Sequence, residues 1–152
     1  MLQIQNLAYS VLIKQEAATN AATLTSDTLD TKGYKEINIV VHATTSNNAT
    51  NNPSVLKVQE ADTTDATNFA DIAALLGDGA SGFTIPSSPT ATTTAPFAVL
   101  GVNKANGARK RYLRVLISPV TTQTFSVVAL MARAEEAPNS ITEQNVAVAA
   151  NG

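Results

Sequence analysis

The sequence predicts an all-β domain, an antiparallel β-sandwich of the jelly-roll kind with about eight strands and at most one short helix. Apolar and polar residues alternate with a period of two in several short segments, which is typical of half-buried strands. Turn-forming residues separate these segments, and the abundant threonine favours strands. With 152 residues, 44% of them apolar, the chain is large enough for one hydrophobic core and cramped for two.

We expect the chain to have three parts. Residues 1–20 form a flexible N-terminal arm or first strand, residues 21–135 form the β-sandwich, and residues 136–152 form a flexible C-terminal tail of low complexity. Within the sandwich, Asp30-Thr31-Lys32-Gly33 predicts a turn, because glycine adopts positive φ angles without strain. No internal repeat or linker divides the sandwich further.

Five segments carry the strongest strand pattern. The last of them has apolar residues on both faces, which indicates a central strand or one whose outer face meets a partner. Asn106-Gly107 lies between two of the segments and predicts a β-hairpin, although the loop is longer than two residues. The segments are 36–44, 55–61, 97–102, 111–118 and 124–134.

Residues 63–76 are the one segment with a helical pattern. Thr64 or Asp65 is suited to cap its start, and Gly77 and Gly79 would end it. We therefore expect the single short helix here. The apolar residues that recur at helical spacing are Phe69, Ile72, Ala73 and Leu76.

Composition argues against catalysis. The chain has no cysteine, which removes disulfides, thiolate metal sites and cysteine nucleophiles. Its one histidine, His42, lies within a predicted strand, where a solvated or packing role is the usual one. No nucleophile motif such as Gly-x-Ser-x-Gly accompanies it. We therefore predict that the protein is not an enzyme and uses no cofactor or metal.

Composition also argues against nucleic-acid and membrane partners. A net charge of -2 and a pI near 5.3 do not fit a protein that binds nucleic acid over its whole surface. No apolar run approaches the roughly 20 residues of a membrane helix. The first residues lack the basic segment and apolar run of a secretory signal. We expect no nucleic acid and no membrane among the partners.

Two clusters of charge remain. The acidic one could hold a hard cation such as calcium, but it matches no known loop and is more simply a solvated edge. The basic one is a solvated loop, a contact with an acidic patch on a partner or another copy, or least often a nucleic-acid contact, for which interleaved aromatic residues are missing. The two clusters could also meet between copies. The acidic cluster is Glu60, Asp62, Asp65, Asp71 and Asp78, and the basic cluster is Lys104, Arg109, Lys110, Arg111 and Arg114.

Three stretches together resemble a known class of proteins. They are Leu29-Asp30-Thr31-Lys32-Gly33-Tyr34, then Val58-Gln59-Glu60-Ala61-Asp62 with Asn68-Phe69-Ala70-Asp71-Ile72, and finally Lys110-Arg111-Tyr112-Leu113-Arg114-Val115. In this order they resemble the capsid decoration, or cement, proteins of tailed bacteriophages and prophages, over about residues 25–135. Ala61 departs from the pattern of that class, in which Ser or Asp is more usual, and this argues further against a metal role for the acidic cluster.

The resemblance implies a non-enzymatic structural protein of the virion. Such a protein is made in the bacterial host cytoplasm and sits on the outer surface of an icosahedral phage head. There it stabilises the expanded capsid by bridging neighbouring subunits of the major capsid protein. The resemblance also implies self-association into a homo-oligomer, for which a trimer at threefold positions is the form that the class suggests.

The predicted partner-binding residues lie in the N-terminal arm and in the basic loop. The arm would add a strand to a neighbouring sheet edge, although an ordinary edge strand explains its pattern equally well. The cations would attract an acidic patch on the partner. The C-terminal tail is a further candidate. The residues are Leu2, Ile4, Lys104, Arg109, Lys110 and Arg111.

Two other functions remain open. A structural protein of the phage tail or neck, such as a tube, adaptor or fibre-base component, would differ from a decoration protein in its copy number per particle. A carbohydrate-binding β-sandwich is less favoured, because sugar faces stack on aromatic side chains. The chain has no tryptophan and only 5% aromatic residues.

Overall fold

The computed structural model describes residues 7–19, 21–43, 53–86, 97–104, 109–133 and 149–151. These residues form ten strands and one 3-10 turn, Ala66–Asn68. No helix in them is long and apolar enough to span a membrane. The strands are β1 (Leu7–Ala18), β2 (Leu24–Thr25), β3 (Leu29–Asp30), β4 (Glu36–Ala43), β5 (Val55–Ala61), β6 (Ala70–Leu76), β7 (Ala98–Asn103), β8 (Tyr112–Ser118), β9 (Gln123–Ala132) and β10 (Ala149–Asn151).

The strands form two sheets with jelly-roll connections. Sheet A has the order β1-β9-β4-β7-β10, and sheet B has the order β2-β8-β5-β6, with β3 also paired to β8. All pairs are antiparallel except β7 with β10. If β2 and β3 count as one interrupted strand and the short β10 is set aside, eight strands remain. The first of them pairs with the last, the second with the seventh, the third with the sixth and the fourth with the fifth. This is the nested pairing of a jelly roll, and the predicted fold class is confirmed.

The core lies between the inner faces of the two sheets. The alternation predicted for β4 is confirmed, since Ile37, Ile39 and Val41 are buried and point inward. The inner residues of β9 do the same, with Phe125 and Val127 fully buried. Sheet B contributes Leu56, Val58, Ile72, Leu75, Leu113, Val115 and Ile117.

The predicted helix at residues 63–76 is wrong. Only the short 3-10 turn Ala66–Asn68 forms there, capped by Asp65, and β6 follows it in pairing with β5. The register between β5 and β6 shifts, so that Lys57 lies opposite Leu76 but Gln59 opposite Asp71. The extra residues of β6 bring Ile72 and Leu75 to the same core. A bulged strand thus produces the three-residue apolar spacing that imitates a helix.

The predicted hairpin between β7 and β8 is also wrong. The two strands lie in different sheets, so residues 104–111 connect sheet A to sheet B instead of turning the chain within one sheet. A two-residue turn keeps its flanking strands paired, whereas a longer connection leaves the second strand free to cross the sandwich. The Asn106-Gly107 signal itself lies outside the described residues.

The two ends of the chain contribute the two edge strands of sheet A. β1 pairs with β9 over its whole length, with two irregularities between Val11 and Glu16. β10 pairs with Val99–Gly101 of β7. Sheet A is therefore bounded by residues from the predicted N-terminal arm on one side and from the predicted C-terminal tail on the other.

Candidate functional site

The predicted basic loop meets carboxylates of the same chain. Arg109 Nη1 is 3.7 Å from Glu60 Oε1, and the backbone N–H of Lys110 donates to Glu60 Oε2 at 3.0 Å. Lys110 Nζ is 3.4 Å from Asp62 Oδ2. Solvated positions, a partner contact and a contact between copies were all left open for the basic and acidic clusters, and the structure shows that residues of the two clusters meet within one chain. They do so where β5 ends and β8 begins.

Arg111 forms the most regular of these ion pairs. Its guanidinium binds the Asp30 carboxylate at both oxygens, with Nε donating to Oδ1 at 2.8 Å, and it also lies 4.9 Å from the centroid of the Tyr112 ring. The hydrogen bond from Arg111 lowers the pKa of Asp30 from 3.8 to about 2, and the same bond raises the pKa of Arg111. Both side chains are exposed, so salt screens the pair.

Lys104 is held at the same end of the sandwich by a buried threonine. Lys104 Nζ donates to Thr31 Oγ1 at 2.7 Å, and Thr31 is fully buried. Burial lowers the pKa of Lys104. Arg109, Lys110 and Arg111 are thus each paired with a carboxylate of the same chain, which reduces the free charge that they offer to another molecule. Their role in partner binding stays a prediction.

The remaining acidic residues of the predicted cluster lie apart from one another. Asp65 caps the 3-10 turn through the backbone N–H of Thr67, and Asp78 Oδ1 accepts from Ile85 N–H at 3.0 Å. Burial alone would raise the pKa of Asp71, but hydrogen bonds from Gln59 and Lys57 outweigh it and lower that pKa. The described residues contain no group of three or more His, Cys, Asp or Glu side chains arranged to hold a metal ion.

The outer face of sheet A is apolar over its β1 and β9 side. Residues directly opposite each other share a face, so Val11, Val128, Val40 and Val99 form one row across the sheet. Tyr9, Leu130 and Asn38 form the next row. Four of the five exposed large apolar side chains among the described residues lie on this face, namely Leu7 at 46% exposure, Tyr9 at 76%, Val11 at 40% and Leu130 at 48%. We call Leu7, Tyr9, Val11, Val128 and Leu130 the apolar patch.

The patch carries no charge, and its exposure is uneven across the sheet. Val99, in the same row as Val11 but near the opposite edge, is only 7% exposed, so the open part of the face is the side formed by β1 and β9. Glu36, a carboxyl side chain that the register places on this face, is buried in the row of Leu7. A contiguous exposed apolar patch on an otherwise polar protein indicates an interaction site.

The outer face of sheet B has the opposite character. Lys57 Nζ is 3.0 Å from Asp71, and Gln59 bridges Asp71 to Arg114 through hydrogen bonds of 2.6 and 2.8 Å. The Arg114 guanidinium lies 4.2 Å from the centroid of the Phe69 ring. This face is a network of charged and polar groups, so the two outer faces of the sandwich differ in polarity.

His42 lies at one end of the sheet A face. It is exposed, sits opposite Ser126 of β9, and lines an open pocket of about 210 Å³ with Gln15, Thr124 and Phe125 among others. This placement is the solvated strand position expected for it. Leu2 and Ile4, the predicted contacts of the arm, lie outside the described residues.

Sequence reasoning missed the residues of the apolar patch, although the signal was present. The pattern Leu7-Ala8-Tyr9-Ser10-Val11 alternates large and small residues, and β9 is apolar on both faces. The two-sided pattern of β9 was interpreted as a central strand or a partner-facing one. The first is confirmed, since β9 lies between β1 and β4 in sheet A, and the second stays a prediction.

Searches of protein-family models, of curated proteins and of solved structures found nothing that matches this chain. The function proposed below accordingly rests on the chain's own residues and on the resemblance of its three stretches.

Proposed function

We propose that the protein is a non-enzymatic structural component of a phage particle. It decorates the outside of the icosahedral head and stabilises the expanded capsid by bridging neighbouring subunits of the major capsid protein. The observation that carries this proposal is the uncharged apolar patch on the outer face of sheet A, opposite a face that carries a charged network. The three stretches that resemble decoration proteins supply the location on the head.

The size of the patch fits a weak contact that is repeated many times. Full burial of a Val, Leu or Tyr-sized apolar side chain stabilises a contact by about 1.5–3 kcal/mol. The four exposed side chains of the patch are already 24 to 60% covered, so each gives only part of that value. The cost of association consumes several kcal/mol more. A single copy therefore binds weakly, and occupancy of a shell depends on contacts that each copy makes with more than one subunit.

Bridging also explains how such a protein stabilises the shell. A ligand that binds the assembled, expanded arrangement and not the separated subunits shifts the equilibrium toward that arrangement by mass action. The bridging contact exists only when the subunits have the spacing of the expanded shell. Binding is therefore selective for expanded shells, and it hardens them without any chemical step.

Co-sedimentation with capsid shells tests the proposal. The purified chain is mixed with matched shells of a phage major capsid protein, before and after expansion, and bound copies are counted. We expect saturable binding of many copies per shell to expanded shells only. Absence of binding to both shells would contradict the proposal, and binding of a single ring of copies to tails or necks would support the tail or neck alternative instead.

A further inference from the structure

β1 is an edge strand whose outer side is open in the described part of the chain. It runs for 12 residues and pairs only with β9. One described contact touches its free side, where Asp27 N–H donates to Leu12 O at 3.2 Å. Residues 7–11 of β1 thus have a side to which no described strand is bonded, and an open strand edge is a template for pairing with another chain.

The hydrogen bonds of the neighbouring strands tell which way the β1 backbone points. Phe97 N–H donates to Val41 O at 2.7 Å, so Val41 turns its backbone groups toward β7. Successive residues of a strand turn their backbone groups to opposite sides. The backbone groups of Val40 and of its partner Val128 therefore point toward each other. Those of Ala129, the next residue of β9, point toward β1.

The same alternation identifies the residues of β1 whose backbone groups point to its free edge. Ala129 lies opposite Ser10, so Ser10 bonds to β9. Leu7, Tyr9 and Val11 then turn their N–H and C=O groups to the open side. These are the three residues of β1 whose apolar side chains are exposed on the outer face. The unpaired backbone groups and the exposed apolar side chains therefore belong to the same residues.

The two halves of β1 differ in how well their edge is protected. The second half carries Lys14 and Glu16, two register irregularities, and Gln15 with φ 23. Charges and bulges of this kind block strand addition. The first half, residues 7–11, is free of charge, proline and bulges. A further strand can therefore pair with the first half of β1, whereas the second half blocks such pairing.

From this edge we infer that two copies of the chain pair β1 with β1 in antiparallel fashion about a two-fold axis at Tyr9. In this register Tyr9 lies opposite Tyr9 of the second copy, and Leu7 lies opposite Val11. All three edge-facing residues then form hydrogen-bonded pairs, which no other two-fold register achieves. The charged second halves lie at opposite ends of the joint, so they do not repel each other, and the two tyrosine rings form an aromatic cross-strand pair.

The joint is smaller than a standard protein interface. Five to seven residues at about 3.3 Å each, across the roughly 20 Å depth of a sandwich edge, give on the order of 400 Å² per copy, against about 800 Å² in stable complexes. The dimer is therefore weak in solution and forms at high concentration. It places the apolar patches of two copies side by side on one continuous sheet.

This inference goes beyond the proposed function and does not depend on it. It concerns the chain alone, so it is tested without capsid shells, and a monomeric chain that still binds shells would overturn the inference and leave the proposed function standing. A two-fold pair also replaces the trimer that the resemblance suggests.

Mass measurement over a concentration series tests the pairing. In sedimentation equilibrium of the full chain, the apparent mass is expected to rise from about 15.8 kDa toward twice that value as concentration increases. A chain that stays monomeric at millimolar concentration, or that forms trimers, would overturn the inference.

Two variants of Val11 test whether the backbone edge makes the contact. Val11→Pro removes an edge-facing N–H without touching the bonds to β9, because proline is tolerated on an edge strand when its nitrogen faces outward. We expect it to weaken the dimer at least tenfold, while Val11→Thr, which keeps the N–H and nearly the same shape, dimerises like the wild type. Equal dimerisation of both variants would exclude edge pairing.

A charge exchange at Tyr9 keeps the test decisive if Val11→Pro fails to fold. Tyr9 is 76% exposed, so Tyr9→Lys and Tyr9→Glu are each compatible with the fold. Each variant alone is expected to be monomeric, because like charges lie opposite each other, and an equal mixture is expected to form a heterodimer. A mixture that stays monomeric, or single variants that dimerise like the wild type, would contradict the register.

Discussion

Thr31 connects three segments by hydrogen bonds at the end of the sandwich where the basic loop lies. It is fully buried, and both its backbone N–H and its hydroxyl donate to Arg111 O. The hydroxyl also accepts from Lys104 Nζ. One side chain thereby links the β3–β4 connection, the end of β7 and the start of β8, which belong to different sheets.

Replacement of Thr31 by valine tests this link. Thr31→Val keeps the shape but removes the hydroxyl, so a part-buried ammonium loses its acceptor, and we expect the free energy of unfolding to fall by about 1–3 kcal/mol. Thr28→Val, three residues earlier at an exposed position, is the matched control and is expected to change little. Denaturant unfolding measures both. Equal effects of the two substitutions would contradict the role of the hydroxyl.

The Asp30–Arg111 pair predicts a specific pH dependence. The pKa of Asp30 is lowered to about 2 in the folded chain, from the ordinary value of 3.8. A lowered carboxyl pKa gives stability that is fully present above the unfolded value and is lost as pH falls through the folded value. The difference in unfolding free energy between wild type and Asp30→Asn should therefore shrink as pH falls from about 5 to about 2. A constant difference over this range would contradict the pair's contribution.

At the residue scale the sequence predicted the charges but not their partners. Arg111 and Asp30 are 81 positions apart, and only the pairing of β3 with β8 brings them together. Burial of Thr31 was likewise invisible, because threonine is common on exposed strand faces. Contacts between distant residues depend on strand order, which alternation within one segment does not encode.

Element by element, the sequence predicted strands well where one face is buried. β4, β5, β8 and β9 lie where alternation placed them. β6 was missed because its bulge gives buried residues a spacing of three. The connection between β7 and β8 was mistaken for a hairpin, since a turn signal tells that the chain reverses and not which sheet it enters.

The turn that follows β6 is held by close backbone contacts. Gly77 pairs with Phe83, and Asp78 N–H donates to Phe83 O at 2.7 Å. A Cβ atom added at Gly82 would lie 1.7 Å from Leu76 O, a backbone atom that cannot move aside. A Cβ atom at Gly79 would instead meet the side chain of Leu76 at 2.8 Å. The turn therefore needs glycine more strictly at position 82 than at position 79.

Alanine substitutions in this turn test the difference. We expect Gly82→Ala to lower the free energy of unfolding by about 2 kcal/mol or more, and Gly79→Ala by less than about 1 kcal/mol, because a side chain can change rotamer and a carbonyl cannot. Thermal unfolding followed by circular dichroism compares the two. A Gly82→Ala variant as stable as the Gly79→Ala variant would show that the turn adapts without cost.

At the scale of the whole molecule, the two outer faces of the sandwich differ in polarity. Sheet B presents Lys57, Asp71 and Arg114 to solvent in a bonded network, and sheet A presents uncharged apolar side chains beside an open strand edge. The sequence left a partner-facing role open for β9, and it predicted the partner contacts in the arm and the basic loop. The apolar patch emerges only when β1 and β9 are adjacent, because neither strand forms it alone.

We propose that the protein docks through the apolar patch, and a matched pair of lysine substitutions tests this contact. Leu130→Lys puts a charge in the patch, and Ala73→Lys puts the same charge at an exposed position of β6 in sheet B. The measurement is the apparent affinity of each variant for expanded capsid shells. We predict at least a tenfold loss for Leu130→Lys and wild-type binding for Ala73→Lys. Wild-type binding by Leu130→Lys, or a selective loss by Ala73→Lys, would contradict docking through this face.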